Sequence, residues 1–478
     1  MKILEVKGLI QEHIDSYGHR VEDIKKHGFS CFDEKETEFL TARGWLRFDD
    51  VSSNDEIASV NSASGEIYYD KPLGSISKNY TGKMYILEPY LTRAVLTPDH
   101  KLLVSQAHRS KFNNWSSKYN SSHAKWELRS TEEILSGNKI AYHIRRNCIS
   151  SRKDYPVDNE YLALAGLFLS DGTISFRKNV VNAVVLAQYK CGKFHEAADL
   201  LNNKYHIKKY TYPVPPKKKS NYKHYSMWFV RGEVSKAIYK DFGHASNKHL
   251  PFWCYKLSKR QVEILWKHLM MGDGSEYKNK QVYYTSSKKL ADDIQALLTS
   301  AGVLSIQGPY ATDTPFGKTS LYYIMRPKIS DTYHMLHFGK ILKINQTPHP
   351  RGGYPIKEIL VKNRRVVCFN MPQDTLITRS RGKVSIQGNC KFASHLIRLL
   401  DEGLEFLVEG RLNFPLSNNN LIRDIKLGKL GLDEILGIAD RREKLVEEAY
   451  IHSPLPNNPD LEKIDELQIQ LLKDFWGY

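Results

Sequence analysis

The pattern of apolar and polar positions predicts helices at both ends of the chain. In residues 390–478, apolar side chains recur every three or four positions, as at Phe392, Leu396 and Leu399. This is the spacing of one face of an α-helix. Residues 1–30 have the same texture. Both ends are therefore predicted to be mostly helical.

The inner part of the chain has a different pattern. Residues 31–150 contain short strand-like runs, such as 38–41 and 84–87, separated by Asp, Gly, Ser and Asn turn residues, and residues 360–386 share this texture. Residues 155–345 alternate helical and strand-like segments. The simplest interpretation is a β domain that is interrupted by an α/β domain.

This order predicts one protein inserted into another. The predicted segments are a helical upstream piece (1–30), a β domain in two parts (31–150 and 346–389), an α/β domain (155–345) and a helical downstream piece (390–478). Joining the outer pieces places Ser30 directly before Cys390, so that the chain would run straight into the helix that starts near Phe392.

The basic charge of the chain is concentrated in the insert. The net charge is +17 overall, whereas the outer pieces sum to zero and −5, which leaves +22 for residues 31–389. A segment this basic is expected to meet a polyanion, with nucleic acid as the first candidate and a merely soluble basic surface as the alternative.

The spacing of the cysteines and the composition of the first 25 residues help to predict the cellular compartment. The six cysteines include no CxxC pair, which argues against a zinc ribbon or a disulfide framework. The first 25 residues are interspersed with charges and lack an apolar signal core. We expect a bacterial or phage-encoded protein in a reducing cytoplasm, where each thiol is free to act as a nucleophile.

The two edges of the insert carry the side chains that protein splicing needs. The insert opens with Cys31 and closes with Asn389, and Cys390 follows. The Cys31 thiol can take the acyl group of Ser30 from its own nitrogen, and the Cys390 thiol can then capture it. Cyclisation of Asn389 would release the downstream piece. These steps require a scaffold that brings residues 31 and 389 together.

A second motif supplies acid–base groups for that chemistry. The Thr97-Pro98-Asp99-His100 turn offers a hydroxyl, a carboxylate and an imidazole that can protonate a leaving amide nitrogen. The blocks "CFDEKETEFLTARGWLRFDDV", "LTPDHKLLV" and "RVVCFNMPQDTLITRSRGKVSIQGNC" resemble the Hint domain of inteins, an all-β, horseshoe-like fold that splices without a cofactor. The resemblance implies that Thr97 and His100 activate the Ser30–Cys31 bond. It also places Cys368 where the family often keeps an Asp or Cys that coordinates the steps. The family usually has His before its terminal Asn, and here that position is Gly388.

Two further segments share one pattern, "LAGLFLSDG" and "WKHLMMGDG", each a predicted helix that ends in Asp-Gly. Their acids, Asp171 and Asp273, lie 102 residues apart, which suits two related halves. Small residues such as Gly166 would let the two helices approach, so that the acids can meet and hold divalent cations beside a scissile phosphate.

These segments resemble the paired motifs of LAGLIDADG (DOD-type) homing endonucleases over about residues 155–345. The resemblance implies two pseudo-symmetric αββαββα halves, Mg²⁺ as the cofactor held by Asp171 and Asp273, and a monomer that cuts double-stranded DNA at the host gene lacking the insert. It aligns Lys248 with a lysine that assists catalysis in some members. In the second motif, Lys267 and His268 replace small residues.

Basic residues near strand ends are candidates for DNA contact. Arg177 and Lys178 follow the first motif, and a loop carries Lys217, Lys218 and Lys219 among tyrosines. Such side chains can grip phosphates, although a solvated lysine loop is the alternative.

The outer pieces resemble the helical C-terminal part of a predicted nucleotidyltransferase family, without its Gly-Ser and paired-Asp signature. The resemblance implies an accessory module that pairs with a separate nucleotidyltransferase chain. Two alternatives to an active splicing endonuclease stay open at this point: an insert with a decayed endonuclease that only binds DNA, and an interrupted accessory subunit.

Overall fold

The computed structural model describes most of the chain after its first thirty residues. The described residues are 31–88, 92–107, 125–136, 141–145, 148–189, 192–214, 224–314, 317–328, 333–337, 341–342, 356–388, 392–414, 416, 418–426, 430, 432–455 and 461–476. Within them the protein is a multidomain, mixed α/β structure with large antiparallel sheets. The predicted helices of residues 1–30 lie outside this part.

A β-rich body is built from two separated stretches of the chain. The first stretch contains β1 (Phe32–Asp33), β2 (Glu38–Thr41), β3 (Gly44–Leu46), β4 (Ile57–Val60), β5 (Ile67–Asp70), β6 (Gly74–Leu87), β7 (Ala94–Leu96), β8 (Lys101–Ala107), β9 (Glu127–Ser130), α1 (Thr131–Ser136) and β10 (Ala141–Arg145). The second contains β19 (Tyr333–His337), β20 (Ile341–Leu342), β21 (Ile356–Asn370), β22 (Thr375–Ser380) and β23 (Lys383–Gly388). The long strands β6 and β21 pair antiparallel along most of their length, from Ile356 opposite Leu87 to Asn370 opposite Gly74.

The residues between these stretches repeat one order of elements. The first copy contains α2 (Asn159–Asp171), β11 (Gly172–Arg177), β12 (Val180–Gln188), α3 (Lys193–Leu200), α4 (Asn202–Tyr205), β13 (Lys208–Pro213), β14 (His224–Val230) and α5 (Glu233–Phe242). The second contains α6 (Lys259–Gly272), β15 (Gly274–Glu276), β16 (Lys280–Thr285), α7 (Lys288–Ser300), β17 (Ile306–Thr314) and β18 (Gly317–Pro327). Each copy therefore contains a helix and two strands, followed by helical residues (two helices in the first copy, one in the second) and two further strands.

Local sequence explains where the paired helices begin and end. At the start of α6, Ser258 accepts a hydrogen bond from the Gln261 amide while the Gln261 side chain accepts one from the Ser258 amide, which forms a capping box. Helix α2 ends where Gly172 leaves the helical conformation and begins β11. Both helices thus stop at their Asp-Gly pairs.

The β-rich body and the α/β part share a sheet and a core. Strand β17 pairs with β23 at Ile306 and Lys383, so that the sheet β15-β16-β18-β17 continues through β23 and β22 into β2, β4 and β5. The adjoining core joins Leu40 and Ile377 of the β-rich body to Tyr255 and Ala296 of the α/β part. These parts are consequently packed against each other rather than linked only by chain.

The downstream helices have a core of their own. They are α8 (Phe392–Glu409), α9 (Asn419–Lys426), α10 (Leu432–His452) and α11 (Leu461–Trp476). Ile397, Leu400 and Leu407 of α8 pack with Ile435 and Ala439 of α10 in a separate apolar cluster. Among the described residues, no helix is both long and apolar enough to cross a membrane.

Candidate functional site

Cys31 and Thr97 are held together in the β-rich body. Strand β1 pairs with β7 at Phe32 and Leu96, which places the residues at their ends side by side. The Cys31 amide donates to Thr97 Oγ1 at 2.9 Å, and the Thr97 amide donates to the Cys31 carbonyl at 3.1 Å. Both side chains are completely buried. The Thr97 hydroxyl is therefore in direct contact with the nitrogen that an acyl shift at Cys31 would release.

His100 closes the turn that begins at Thr97. Its amide donates to the Thr97 carbonyl at 3.1 Å, and its carbonyl accepts hydrogen bonds from the Thr131 amide and hydroxyl at 2.9 and 2.8 Å. The imidazole lies 4.3 Å from the ring of Phe32, centroid to centroid. Burial lowers the pKa of His100 to about 3, and the neighbouring Gln387 side chain acts weakly in the opposite direction. The ring is thus neutral at physiological pH.

Cys368 approaches the same place from β21. Strands β1 and β21 pair with Phe32 opposite Val367, so Cys31, one position earlier, and Cys368, one position later, occupy neighbouring positions across the two strands. Cys368 is completely buried. Two thiols and the Thr97 hydroxyl consequently share one apolar pocket.

Strand β23 also approaches the turn that carries His100. Gln387 pairs with Leu102 of β8, and β23 ends at Gly388. A Cβ at Gly388 would lie 2.8 Å from the Cβ of Lys101 and 3.0 Å from its carbonyl oxygen, so the backbones meet only because Gly388 has no side chain. Since Lys101 follows His100 directly, residues 31 and 388 approach the same turn. The predicted Asn389 and Cys390 lie outside the described residues.

The second candidate site lies where α2 and α6 cross. A Cβ at Gly166 would lie 2.6 Å from the Cβ of His268 and 2.9 Å from the Leu265 carbonyl oxygen. His268 is accommodated because Gly166 faces it, and its Nδ1 is hydrogen-bonded to the Ile264 carbonyl at 2.7 Å. His268 of the second motif therefore packs against Gly166 of the first motif where the two helices cross.

The C-terminal ends of these helices bring both acids together. A Cβ at Gly272 would collide with Ser170 Oγ and Asp171 Oδ2, so the second helix passes directly over the end of the first. The Asp273 amide donates to Ser170 Oγ at 2.5 Å, and Gln188 Nε2 donates to Asp171 Oδ2 at 2.7 Å. These contacts fix the two carboxyl-bearing residues on adjacent helix ends.

Lys248 lies beneath this pair. Its ammonium donates to the carbonyl oxygens of Phe168, Leu169 and Gly172 at 2.8, 3.0 and 2.9 Å, with Ser170 at 3.3 Å. Lys248 thereby caps the C-terminus of α2, where helix carbonyls lack intrahelical partners. Burial lowers its pKa to about 8, while the charges of Asp273 and Asp171 act to raise it.

The acid pair also affects Tyr283, whose hydroxyl donates to the Leu169 carbonyl at 3.3 Å. Burial raises its pKa well above the ordinary value, and the charges of Asp273 and Asp171 raise it further. Both carboxylates therefore act on the same two buried groups, Lys248 and Tyr283. This agrees with two negative charges concentrated at one point.

An aromatic surface lies on the sheet of the first copy. Strand β13 is exposed along its length, and Tyr210, Tyr212 and Tyr225 form a stacked row in which Tyr212 lies 6.3 Å from Tyr210 and 5.4 Å from Tyr225. Arg177 ends β11 and Lys178 begins the turn after it with a φ of 50°. The predicted phosphate-gripping Lys217, Lys218 and Lys219 lie outside the described residues.

Sequence reasoning missed several polar residues at both sites. Ser170 and Gln188 hold the acid pair, and Gln387 is a buried amide on the strand that pairs with β8 two residues after His100. Ser170 stands directly before the first acid, which was an available signal. Gln188 and Gln387 reach their partners only through strand pairing, which no short motif records.

Comparisons with known proteins give partial matches. No protein-family model matches the chain. The ATP-dependent Clp protease proteolytic subunit of Chlamydomonas moewusii is 25% identical over 291 residues, 56% of this chain and 27% of that protein. The ribonucleoside-diphosphate reductase subunit beta of Aquifex aeolicus (strain VF5) is 23% identical over 392 residues, 75% of this chain and 50% of that protein. The chain thus spans about a quarter and a half of these relatives.

Solved structures of the homing endonuclease I-DmoI are similar to part of the chain. Its mesophilic variants match at a TM-score of 0.26 and 15% identity over 36% of this chain and 90% of theirs. Its complex with DNA and Mn matches at a TM-score of 0.25 and 14% identity over 35% of this chain and 89% of that one.

Proposed function

We propose that the chain is an intein precursor: residues 31–389 excise themselves by protein splicing and then act as a DNA homing endonuclease. The splicing function is supported by two sets of contacts. Cys31, Thr97 and His100 are joined by hydrogen bonds, and the end of β23 pairs with β8 directly after His100. The buried thiol of Cys31 lies at one edge of the proposed insert. The strand that leads to the other edge approaches the same turn, which provides the proximity that the chemistry requires.

The first step is an acyl shift at Cys31. Its sulfur attacks the Ser30 carbonyl, the carbon–nitrogen bond breaks, and the thiol proton passes to the Cys31 nitrogen. The Thr97 hydroxyl contacts this nitrogen and can stabilise the changing charge, and neutral His100 can carry the proton. The product is a thioester between Ser30 and Cys31.

The remaining steps resolve this thioester. The Cys390 sulfur attacks it and frees the Cys31 thiol. The side-chain nitrogen of Asn389 then attacks its own carbonyl, which breaks the bond to Cys390 and leaves a succinimide. The Cys390 amine finally takes the Ser30 acyl group from its own sulfur to form a peptide bond.

The two curated relatives support an inserted element. Their names denote a protease subunit and a reductase subunit, so the sequence they share with this chain does not follow from one common activity. A separable segment carried by different hosts is what splicing permits.

The endonuclease part rests on Asp171 and Asp273 at crossing helix ends. Within the described part of the chain, no group of three or more His, Cys, Asp or Glu side chains could enclose a metal ion. Mg²⁺ fits nonetheless, because it is commonly held by one or two carboxylates together with substrate phosphates. Bound at these two acids, Mg²⁺ would supply charge neutralisation and a more acidic water beside the phosphate. Lys248 and Gln188 hold the acids in place, and the basic insert attracts DNA.

The splicing step can be isolated in the full chain with Asn389→Ala and Cys390→Ala. Dithiothreitol should then cleave after Ser30 by attacking the thioester, and a further Cys31→Ala change should abolish this cleavage. Cys254→Ala is the matched control, because Cys254 is also buried but lies in the other core. Equal cleavage with and without Cys31 would exclude the proposed first step.

The endonuclease can be tested with the excised insert and a plasmid that carries the uninterrupted junction between the codons for Ser30 and Cys390. Linear product should form with Mg²⁺ and disappear with chelator. Asp171→Asn or Asp273→Asn should abolish cutting, whereas Asp199→Asn, on α3, should not. Binding without cutting by the unmodified insert would establish a DNA-binding relic instead.

A further inference from the structure

Cys31 and Cys368 lie opposite each other on neighbouring strands of the β-rich body. Strands β1 and β21 pair antiparallel, with Phe32 opposite Val367. One position further along the same register, Cys31 is opposite Cys368. Because directly opposite residues of an antiparallel pair project their side chains from the same face, both sulfurs are directed to one side of the sheet.

The backbones of both cysteines are fixed by further contacts. The Cys31 amide donates to Thr97 Oγ1 at 2.9 Å, and the Cys31 carbonyl accepts a hydrogen bond from the Thr97 amide at 3.1 Å. Cys368 lies inside β21, where it is opposite Ile76 of β6. The register that brings the two residues together is therefore held by strands on both sides of the pair.

This arrangement suits a disulfide bond. Directly opposite residues of an antiparallel pair have Cα atoms about 4.5 or 5.5 Å apart, and a disulfide bridges Cα atoms about 4.4–6.8 Å apart. Both thiols are completely buried in the same apolar core. The other cysteines in the described part of the chain, Cys148 and Cys254, belong to two different cores. Cys31 and Cys368 are thus the described pair that can be joined without moving the backbone.

We propose that Cys31 and Cys368 form a reversible disulfide that arrests splicing under oxidising conditions. This inference rests on the proposed splicing function. A Cys31 sulfur that is bonded to Cys368 cannot attack the Ser30 carbonyl, so the precursor stays intact until a reductant restores the thiol. Disulfides of cytosolic proteins are usually transient and redox-sensing, and this one would block the first nucleophile of the reaction.

Hydrogen peroxide is an oxidant small enough for a buried pair, and the reaction with it balances. The thiolate of one cysteine attacks a peroxide oxygen, the oxygen–oxygen bond breaks, and the released hydroxide takes up the thiol proton as water, which leaves a sulfenic acid. The second thiol then attacks the sulfenic sulfur, the sulfur–oxygen bond breaks, and a second water leaves. The two thiols together lose two electrons and two protons, and peroxide is reduced to water. A thiol reductant reverses the bond by thiol–disulfide exchange.

The test uses the full chain with Asn389→Ala and Cys390→Ala, in which Cys390 cannot compete for Cys31. After treatment with peroxide and its removal, peptide mapping by mass spectrometry should find Cys31 joined to Cys368. Cleavage after Ser30 is then measured with hydroxylamine, which attacks a thioester but does not reduce a disulfide. The fraction of precursor that is linked should equal the fraction that resists hydroxylamine. Treatment with tris(2-carboxyethyl)phosphine should remove the link and restore cleavage.

Two variants separate this pair from general oxidation. Cys368→Ser should form no link to Cys31, whereas Cys254→Ala, which removes a thiol buried in another core, should keep both the link and the arrest. Absence of the Cys31–Cys368 link in the folded, peroxide-treated precursor would overturn the proposal, as would a linked precursor that still cleaves. If the link forms but the reduced precursor does not cleave either, the proposed splicing function fails and the redox control fails with it.

Discussion

Lys248 illustrates how much one buried side chain can do for the acid pair. Its ammonium lies among four carbonyl oxygens at the end of α2 and within the field of both aspartates. A hydrogen bond to a charged donor contributes about 1.5–3 kcal/mol, and unsatisfied buried acceptors cost a similar amount. Lys248 therefore holds Asp171 in place in addition to any contact with DNA.

Lys248→Met should lower the free energy of unfolding by about 2–3 kcal/mol, because it removes the charged donor shared by the carbonyls at the end of α2. Urea denaturation measures the change. Lys256→Met is the matched control, because Lys256 is exposed and its ammonium lies 5.7 Å from the centre of the Phe252 ring. Equal losses in the two variants would show that the capping role is wrong.

The depressed pKa of Lys248 gives a signed pH dependence. The folded protein releases the proton near pH 8, whereas the unfolded chain keeps it to about pH 10.5. Between these values the unfolded state binds more protons, so this residue makes the free energy of unfolding rise with pH. The difference between the unmodified protein and Lys248→Met should grow in favour of the unmodified protein from pH 8 to 10.5. A constant difference in urea titrations at three pH values would contradict this.

At the scale of elements, the contact between α2 and α6 decides where the acids stand. The sequence predicted a close helix pair from Gly166, and the structure adds that His268 is the residue facing it. That pairing could not be predicted, because a side chain as large as His268 fits only when the opposite helix offers a gap. Helix spacing alone does not reveal the opposing position.

Gly166→Ala should destabilise the protein by about 1–3 kcal/mol, because the added Cβ meets the Leu265 carbonyl oxygen, which belongs to the backbone and cannot turn away. DNA cutting should fall as well, since the helices must separate. Gly403→Ala in α8 is the control, because no atom lies within 4 Å of its added Cβ. It should be neutral or stabilising by up to about 1 kcal/mol. Thermal or urea denaturation distinguishes the two outcomes.

Other elements also divide into those that local sequence predicts and those that depend on contacts between distant residues. The turn at Thr97, the strand β2 and the two Asp-Gly helix ends follow from local sequence, and they lie where the pattern predicts them. The contacts of Gln188 and Gln387 depend on which strands pair, and these pairings join residues far apart in the chain. Local propensity carries no information on such a register.

At the scale of the molecule, Arg379 links the β-rich body to the α/β part. It is 2% exposed and donates to Glu38 of β2 at 2.8 Å and to Asp292 and Gln295 of α7 at 2.7 and 3.0 Å. Its guanidinium also lies over the ring of Trp45. Because β22 carries Arg379 and leads into β23, the α/β part supports the strand that ends at Gly388.

Arg379→Met should lower the free energy of unfolding by about 3 kcal/mol, since it removes the buried guanidinium that pairs with Glu38 and leaves Asp292, among the described residues, with only the exposed Lys288. The splicing rate should fall with it, because β22 loses its anchor. Arg365→Met removes an exposed pair with Asp49 and should cost less than about 1 kcal/mol. Urea denaturation and dithiothreitol cleavage after Ser30, measured on both variants, test the link. A loss in Arg379→Met no larger than in Arg365→Met would contradict it.

Intact mass spectrometry of the freshly expressed, unmodified chain under reducing conditions tests the central claim most directly. The account predicts two new species, the 359-residue segment 31–389 and a 119-residue product in which residues 1–30 are joined to 390–478. Cys31→Ala should prevent the joined product. If the unmodified protein remains a single 478-residue species after prolonged incubation, the insert does not splice and the account is wrong.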